Sequence, residues 1–564
     1  MIQEELLVST RKWYRVPFIH ARFSECVTCE SGRQQRSSAG TFTPDSALWD
    51  AMLQASASTR PALRRAFSSA TGYVQDTIIP TYHFQKSLTR LPIPKLEDTL
   101  TRYLAAVEPV VTSEQLAETR RAVLDFQNGV GPELHRALVA RDAANTHTSY
   151  INQWWLEMYL DDRQPLPINY NPQIKLKMDP VPAKNSQSQR AASLIASSAR
   201  VHRTLRDKKL EPDIFHTKPD TSKTKAFQYF CKLLPESVSF YGAAALGAYP
   251  LDMSQYKNLF SSTRLPKLGR DELKVTPDSR HVVVQRGTKF YAFDVLTADG
   301  GAVPDEQILA NVEAILAEPL TKSTPDEPGM GLMTTMNRDA WANAREKLEA
   351  SGGVNKANLE QIDSALFVVC LEHESPATPE EHAWGDGVAV LRYLNELYGD
   401  SVKYPVLKSS NQAKPKELTW AINGETKQLL NEAKKTYDKW TSTLLVAELT
   451  KNGVMGQGFD RHLFALRAMA ELQGMDVPEF YTLPAHQIMS KIILSTSTLT
   501  SPALEGGSFG PVNEDCYGIG YGIEKEGSAF QLSSYRKDLP QLKELLVENL
   551  VDLERLLADT TPKK

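Results

Sequence analysis

Runs that read as β-strands alternate along this chain with runs that read as helices. That alternation restricts it to layered α/β architectures, with mixed sheets flanked by helices. HVVVQRGTKFYAFDVL at 281–296 sets two β-branched and aromatic stretches around a Gly-containing turn, the pattern of a strand pair. ALFVVCL at 365–371 is short and apolar throughout, as a buried strand is. VAVLRYLNELY at 388–398 spaces its apolar residues as a helix does. From Leu542 to Leu557, leucines at 542, 545, 546, 550, 553, 556 and 557 predict an amphipathic helix lying on a sheet. Upstream, LPIPKL at 91–96 reads as an extended entry, followed by helical periodicity from Glu97 to Val111 and from Ser113 to Leu138. No internal repeat is visible.

A chain of 564 residues holds more than one hydrophobic core. A formal net charge of −4 supplies no basic field, so a nucleic-acid partner is not expected. No apolar run approaches the roughly 18–20 residues of a membrane span. Cysteines at 26, 29, 231, 370 and 516 are too few for a disulfide framework and read as reduced thiols of an intracellular compartment. Cys26 and Cys29 form a lone C-x-x-C without the two further ligands zinc needs, so no metal is expected. Residues 51–75 contain no acid, three arginines (60, 64, 65) and many Ser and Ala, the composition of a mitochondrial transit peptide starting beside Met52. Residues 1–50 carry six acids and suit import poorly, so 1–75 is set apart as an extension plus a targeting segment. Residues 187–210 read as a helix with Leu194, Val201 and Leu205 on one face and six arginines and lysines around it. Such a helix can lie on a membrane surface or be a solvated helix of its own domain.

Two short segments carry chemistry. EHAWGDG at 381–387 puts His382 four residues before Asp386, with glycines at 385 and 387 that let backbone come close to a substrate. LSTSTLTS at 494–501 follows an apolar run and alternates hydroxyls, so that Ser495 and Ser497 share one face of a strand. A base together with convergent hydroxyl donors is what acyl transfer asks for, one taking a proton and the other holding an oxyanion. Asp386 could orient the imidazole or brace the loop through an arginine; the sequence supports both.

These segments, with LPIPKLEDTL at 91–100, YPLDMSQYKNLFSSTRLPKLGRDEL at 249–273, GQGFDRHLFALR at 456–467 and LEGGSFGPV at 504–512, resemble the carnitine acyltransferase family, in particular its mitochondrial long-chain members. The resemblance implies a two-domain fold of the coenzyme-A-dependent, chloramphenicol-acetyltransferase-like type. The first domain, 76–400, would carry His382 and the second, 401–564, the Ser-Thr-Ser strand. It implies reversible transfer of a long acyl chain between carnitine and coenzyme A, both substrates and neither a bound cofactor, in the mitochondrial matrix for fatty-acid oxidation. His382 would be the general base and Ser497 the oxyanion donor, with Ser495 beside it. Arg461 would hold the carnitine carboxylate, Phe509 would flank the trimethylammonium group, and Tyr159 matches an active-site tyrosine. His462 reads as structural. Gly507 stands where short-chain relatives place methionine, which leaves the acyl channel open to a long tail. The position of 187–210 matches the segment that long-chain members are associated with using for peripheral inner-membrane attachment.

The chain also departs from the family. Between 375 and 382 it lacks a segment that relatives carry ahead of the histidine. Between about 440 and 450 it lacks a larger one, so that His382 and Ser495 lie only 113 positions apart. In relatives the second block contains a lysine-rich cradle for the coenzyme A phosphates and hydroxyls that help hold the carnitine carboxylate. The departures leave two alternatives to a long-chain transferase: an impaired splice isoform or pseudoenzyme that only binds, and a short- or medium-chain transferase, which Gly507 disfavours.

Overall fold

The computed structural model describes residues 72–145, 148–166, 172–321, 324, 329–371, 378–379, 387–441, 459–498, 500–524 and 527–560. After the proline-punctuated entry come α1 (Leu96–Val107), α2 (Ser113–Asn128), α3 (Gly131–Ala144) and α4 (Asn152–Asp161). Thr112 opens α2 with a capping box: its hydroxyl accepts from the Gln115 amide, and the Gln115 side chain accepts from the Thr112 amide. The helical stretch expected to run from Ser113 to Leu138 divides here, because Gly129 ends α2 and Pro132 starts α3.

Next come β1 (Gln173–Leu176), α5 (Gln187–Arg206), β2 (Ile214–His216), α6 (Lys225–Leu233), α7 (Ser239–Ala245) and β3 (Ala248–Pro250). They are followed by the hairpins β4 (Ser262–Leu265) with β5 (Glu272–Val275) and β6 (His281–Arg286) with β7 (Lys289–Asp294). Gly287 turns the second hairpin at φ +58°, in the left-handed region that glycine tolerates. Then follow α8 (Asp305–Ala317), α9 (Arg338–Ala350), α10 (Gly353–Asp363), β8 (Val368–Cys370), β9 (Thr378–Pro379), α11 (Gly387–Ser401), β10 (Lys416–Leu418) and α12 (Gly424–Thr441). The C-terminal part holds α13 (Phe459–Leu472), α14 (Pro484–Ser490), β11 (Leu494–Thr498), β12 (Leu504–Ser508), β13 (Tyr517–Glu524), β14 (Gly527–Ser534) and α15 (Leu539–Thr560).

The four-stranded sheet β10-β7-β6-β8 draws its strands from residues 281–418 and lies between two layers of helices. Side chains alternate across it, as the two-residue period of a strand requires. Val282, Val284, Tyr291 and Phe293 face a layer of α5 and α8, while Val283, Phe290 and Ala292 face Trp341, Leu348 and Leu430 from α9 and α12. The fold is therefore α/β with helices on both faces of mixed sheets, as the alternation of elements predicts. The buried strand expected at 365–371 is instead, among the described residues, the outermost strand of this sheet. Val368 is 49% exposed, and it is the flanking Leu366 and Leu371 that reach the core. A second sheet, β12-β1-β9, joins the two halves of the chain, and a third, β11-β13-β14, lies within the C-terminal part. α15 meets β14 as expected, yet Leu542, Leu546 and Leu550 stay half-buried and Leu545 is 48% exposed.

The clearest correction concerns 187–210. α5 packs against α8 and α11 and is a core helix, not a membrane-surface one. Small residues (Ala192, Ser193, Ala196, Ser197, Ala199) let both neighbours approach, and its positive charge is used internally. Arg200 Nε donates to Asp400 Oδ2 at 2.7 Å and Nη1 to Asp305 Oδ1 at 2.8 Å. Arg190 donates to the Lys177 carbonyl, and Arg203 to the carbonyls of Gly72 and Gly300. The arginines resemble a membrane-binding stripe in sequence because their acidic and carbonyl partners are distant in the chain.

Candidate active site

His382 and Asp386 lie outside the described residues, but the segments on either side of their loop are placed. Ahead of it, β9 pairs antiparallel with β1, Thr378 opposite Ile174 and Pro379 opposite Gln173. Behind it, α11 starts at Gly387 and sets Val390, Leu394 and Leu397 against Ile174 and Leu504. The other edge of β1 pairs with β12, where Gly507 lies opposite Ile174. Both ends of the loop are thus fixed to the small sheet that contains Gly507. A side-chain bond adds to this: Ser501 Oγ donates to Asn395 Oδ1 of α11 at 2.7 Å.

The Ser-Thr-Ser strand is β11, as the alternation predicts, and Ser495 and Ser497 fall on one face of it. β11 runs parallel to β13, with Ser495 opposite Gly518 and Ser497 opposite Gly520. β12 crosses close over this point: a Cβ on Gly520 would stand 2.1 Å from the Gly507 carbonyl oxygen. One succession of backbone neighbours therefore runs from Ser497 to Gly520, Gly507, Ile174 and Thr378, a few residues ahead of His382. The glycine spacing of YGIGYGIE at 517–524, glycine at every second strand position, is the signal for this close approach, and sequence reasoning passed over it.

Arg461 sits in the first turn of α13, half-buried, with its guanidinium carbon 5.7 Å from the centre of the Trp155 ring on α4. Tyr159 meets the same indole edge-on, at 6.2 Å between ring centres. Arg461 and Tyr159, chosen separately from the sequence, are thus linked through Trp155, a residue sequence reasoning did not single out. His462 is fully buried, as a structural residue should be. Its Nδ1 bonds with Thr99 Oγ1 at 2.7 Å and its Nε2 with His135 Nδ1 at 3.2 Å, while burial and then the neighbouring His135 push its pKa down to about 3. Phe509 follows β12 directly, and its carbonyl accepts from Ser533 Oγ at 3.0 Å. Among the described residues no cluster of His, Cys, Asp and Glu could hold a metal ion. Cys231 and Cys516 are buried and Cys370 is exposed, all three as free thiols, while Cys26 and Cys29 lie outside the described residues.

A family model described as choline/carnitine O-acyltransferase matches residues 91–381, 378–450 and 446–551. The match breaks at 378–381 and 446–450, the two places where the sequence lacks blocks found in relatives. Carnitine O-palmitoyltransferase 2, mitochondrial, of Xenopus tropicalis is 34% identical over 660 residues, covering 92% of this chain and 99% of the relative. Since those positions draw on 92% of 564 residues, the relative fills about 140 positions with no counterpart here. The Mus musculus protein of the same name is 35% identical over 607 residues, 83% of this chain and 92% of the relative. A more distant likeness, 27% over 419 residues, covers 64% of this chain and 62% of the peroxisomal carnitine O-octanoyltransferase of Bos taurus. The chain belongs to the choline/carnitine O-acyltransferase family.

Proposed function

We propose that this chain transfers a long-chain acyl group between coenzyme A and carnitine in the mitochondrial matrix, the activity that its relatives' name, carnitine O-palmitoyltransferase 2, describes. The imidazole of His382 takes the proton from the carnitine hydroxyl as its oxygen attacks the thioester carbonyl. The tetrahedral oxyanion is met by the Ser497 hydroxyl, with Ser495 on the same face. Collapse expels the coenzyme A thiolate, which recovers the proton from the imidazolium. Arg461 holds the acceptor's carboxylate, Phe509 flanks its trimethylammonium group, and Tyr159 lines the same region. Asp386 orients the base or braces its loop. The acyl tail passes Gly507, each buried methylene adding about 0.8 kcal/mol. The observation that carries this reading is the succession of backbone pairings from Ser497 through Gly507 to the strand leading into His382.

The break in the family match favours a second reading, in which loss of the coenzyme A cradle leaves a chain that binds without turnover. Coenzyme A release from palmitoyl-CoA plus carnitine, compared with His382→Ala, separates the two. A rate that falls to background in the variant supports transfer, and equal rates in both support the binding form. Running acetyl-, octanoyl- and palmitoyl-CoA in parallel tests the chain-length assignment.

Membrane contact in this reading moves from 187–210 to the α6–α7 excursion. Tyr229, Phe230, Leu233, Val238 and Tyr241 are each more than 40% exposed there, with Leu233 at 83%, and Phe215 of the neighbouring β2 is 61% exposed. An exposed apolar set of this kind suits an interface. Among the described residues no helix is long and apolar enough to cross a membrane. Flotation with cardiolipin-containing vesicles is expected to recover the unmodified chain and to lose Leu233→Asp.

A further inference from the structure

Tyr103 of α1 and Tyr481, in the turn between α13 and α14, are buried in the same cluster, yet their hydroxyls fare differently. Tyr481 Oη donates to the Leu463 carbonyl at 2.8 Å. Tyr103 is 0% exposed, and among the described residues its hydroxyl has no hydrogen-bond partner. Beside it, with 5.8 Å between ring centres, lies His486 of α14, whose buried Nδ1 has none either. A buried polar atom left unpaired is unfavourable in a fold, so two of them on neighbouring rings call for an explanation.

Both residues line one cavity of about 240 Å³ between α1, α13 and α14. Phe459, Leu463 and Phe464 of α13 and Met489 of α14 give it apolar walls. Of the lining residues, Asp460, Arg467 and Ser490 are exposed and mark the side open to solvent. The two charges there are of opposite sign, so the entrance favours neither an anion nor a cation. An apolar cavity of roughly 150 Å³ holds a benzene molecule, so the space here suits one substituted ring. A single water bonded to both polar atoms would leave most of the apolar wall uncovered.

The two unpaired atoms set what polar group such a ring must carry. Burial raises the Tyr103 pKa to about 12, so its hydroxyl keeps a proton to donate. Burial, and then the charge of Arg467, lower the pKa of His486, so its imidazole is neutral and can offer one nitrogen as an acceptor. A group between them has to accept from one and donate to the other, which a hydroxyl does and a carboxylate does not. Both atoms are shielded from solvent, so an occupant meets them by displacing part of the wall. The unbranched thioether of Met489 is the apolar side chain there that gives most readily.

From this we infer that the cavity is a binding site for a small neutral aromatic alcohol of the phenol class. Its ring would lie among Phe459, Phe464 and Met489, and its hydroxyl would bridge Tyr103 Oη and His486 Nδ1. The inference does not depend on the transferase reading.

Titration calorimetry at neutral pH compares p-cresol with toluene, which has the same ring and methyl group without the hydroxyl. Three chains are used: unmodified, Tyr103→Phe and Met489→Trp. The unmodified chain should bind p-cresol about 10-fold more tightly than toluene, the worth of one or two net hydrogen bonds. Tyr103→Phe keeps the ring, drops the unpaired hydroxyl, and should cut that preference to ~3-fold. Met489→Trp fills the cavity with an indole and should bind neither probe. Equal affinity of the unmodified chain for the two probes, or no heat from p-cresol up to its solubility, overturns the inference. An unchanged preference in Tyr103→Phe, or undiminished p-cresol binding in folded Met489→Trp, places binding elsewhere and overturns it as well. If Met489→Trp does not fold, Tyr103→Phe alone decides.

Discussion

The close crossing of β12 over β13 makes Gly520 and Gly522 a matched pair with opposite expected behaviour. Both lie in the same strand and, two residues apart, on the same face. A Cβ at 520 would stand 2.1 Å from the Gly507 carbonyl oxygen, 3.1 Å from its carbonyl carbon and 3.4 Å from the Ser508 Cα. All three are backbone atoms of β12, so no side chain can swing aside. Carbon–oxygen contacts settle near 3.3–3.6 Å, so the strands must part by more than about 1 Å. Overpacking of this kind costs about 1–3 kcal/mol. At 522 the nearest atom is Thr500 Oγ1 at 3.9 Å, an ordinary contact. There alanine is expected to stabilise by about 0.4–1 kcal/mol, because it restricts the unfolded chain. Urea unfolding followed by tryptophan fluorescence should therefore place Gly520→Ala below the unmodified chain and Gly522→Ala at or slightly above it. In the palmitoyl-CoA assay, Gly520→Ala should lose about 100-fold even below its unfolding range, since a misplacement near 1 Å shifts Gly507 against Ser497. Equal urea midpoints for the two variants would show that β12 does not cross as described.

Three further expectations use the same denaturant assay. Arg200→Met strips both Asp400, which is fully buried, and Asp305 of their counter-charge and should cost about 3–5 kcal/mol. His462 and His202 are held neutral by burial, with pKa values pushed down to about 3 and about 4. The unfolded chain alone then takes up these protons below about pH 6.5, so stability should fall by about 1.4 kcal/mol per pH unit for each ring as pH drops from 6.5 toward 4. A midpoint that is level between pH 7 and 5 would contradict this, and His462→Gln should make the slope shallower. Ser501→Ala removes the bond to Asn395 and should cost about 1 kcal/mol, with faster amide exchange across β12 as the local readout.

Much of the architecture was readable because its signals are local. The strand pair at 281–296 has β-branched residues on both sides of a glycine turn, and the helix after His382 has unbroken apolar spacing. What escaped was set by distant partners. The arginines of α5 look amphipathic until Asp305, Asp400 and the Gly300 carbonyl come to meet them. The 365–371 strand is apolar, but its position in the sheet depends on which strands pair with β6, and the sequence does not encode that locally. At the site, hydroxyl alternation on one face of β11 was legible from a two-residue period. The contact of Trp155 with Arg461 was not, because it spans about three hundred positions and each residue alone looks like an ordinary helix-surface side chain.

The pairing of Gln173 with Ser508 and of Ile174 with Gly507 has a consequence for how the chain is made. β1 emerges from the ribosome early, yet its partner on one edge arrives only when nearly all of the polypeptide has been synthesised. Until then β1 has an open side, and the apolar face of α11 that covers Ile174 lacks Leu504 to close it. Assembly of this sheet is therefore a late, long-range step, slow by its topology. A growing polypeptide must be kept from pairing that edge wrongly until its last strands have been made.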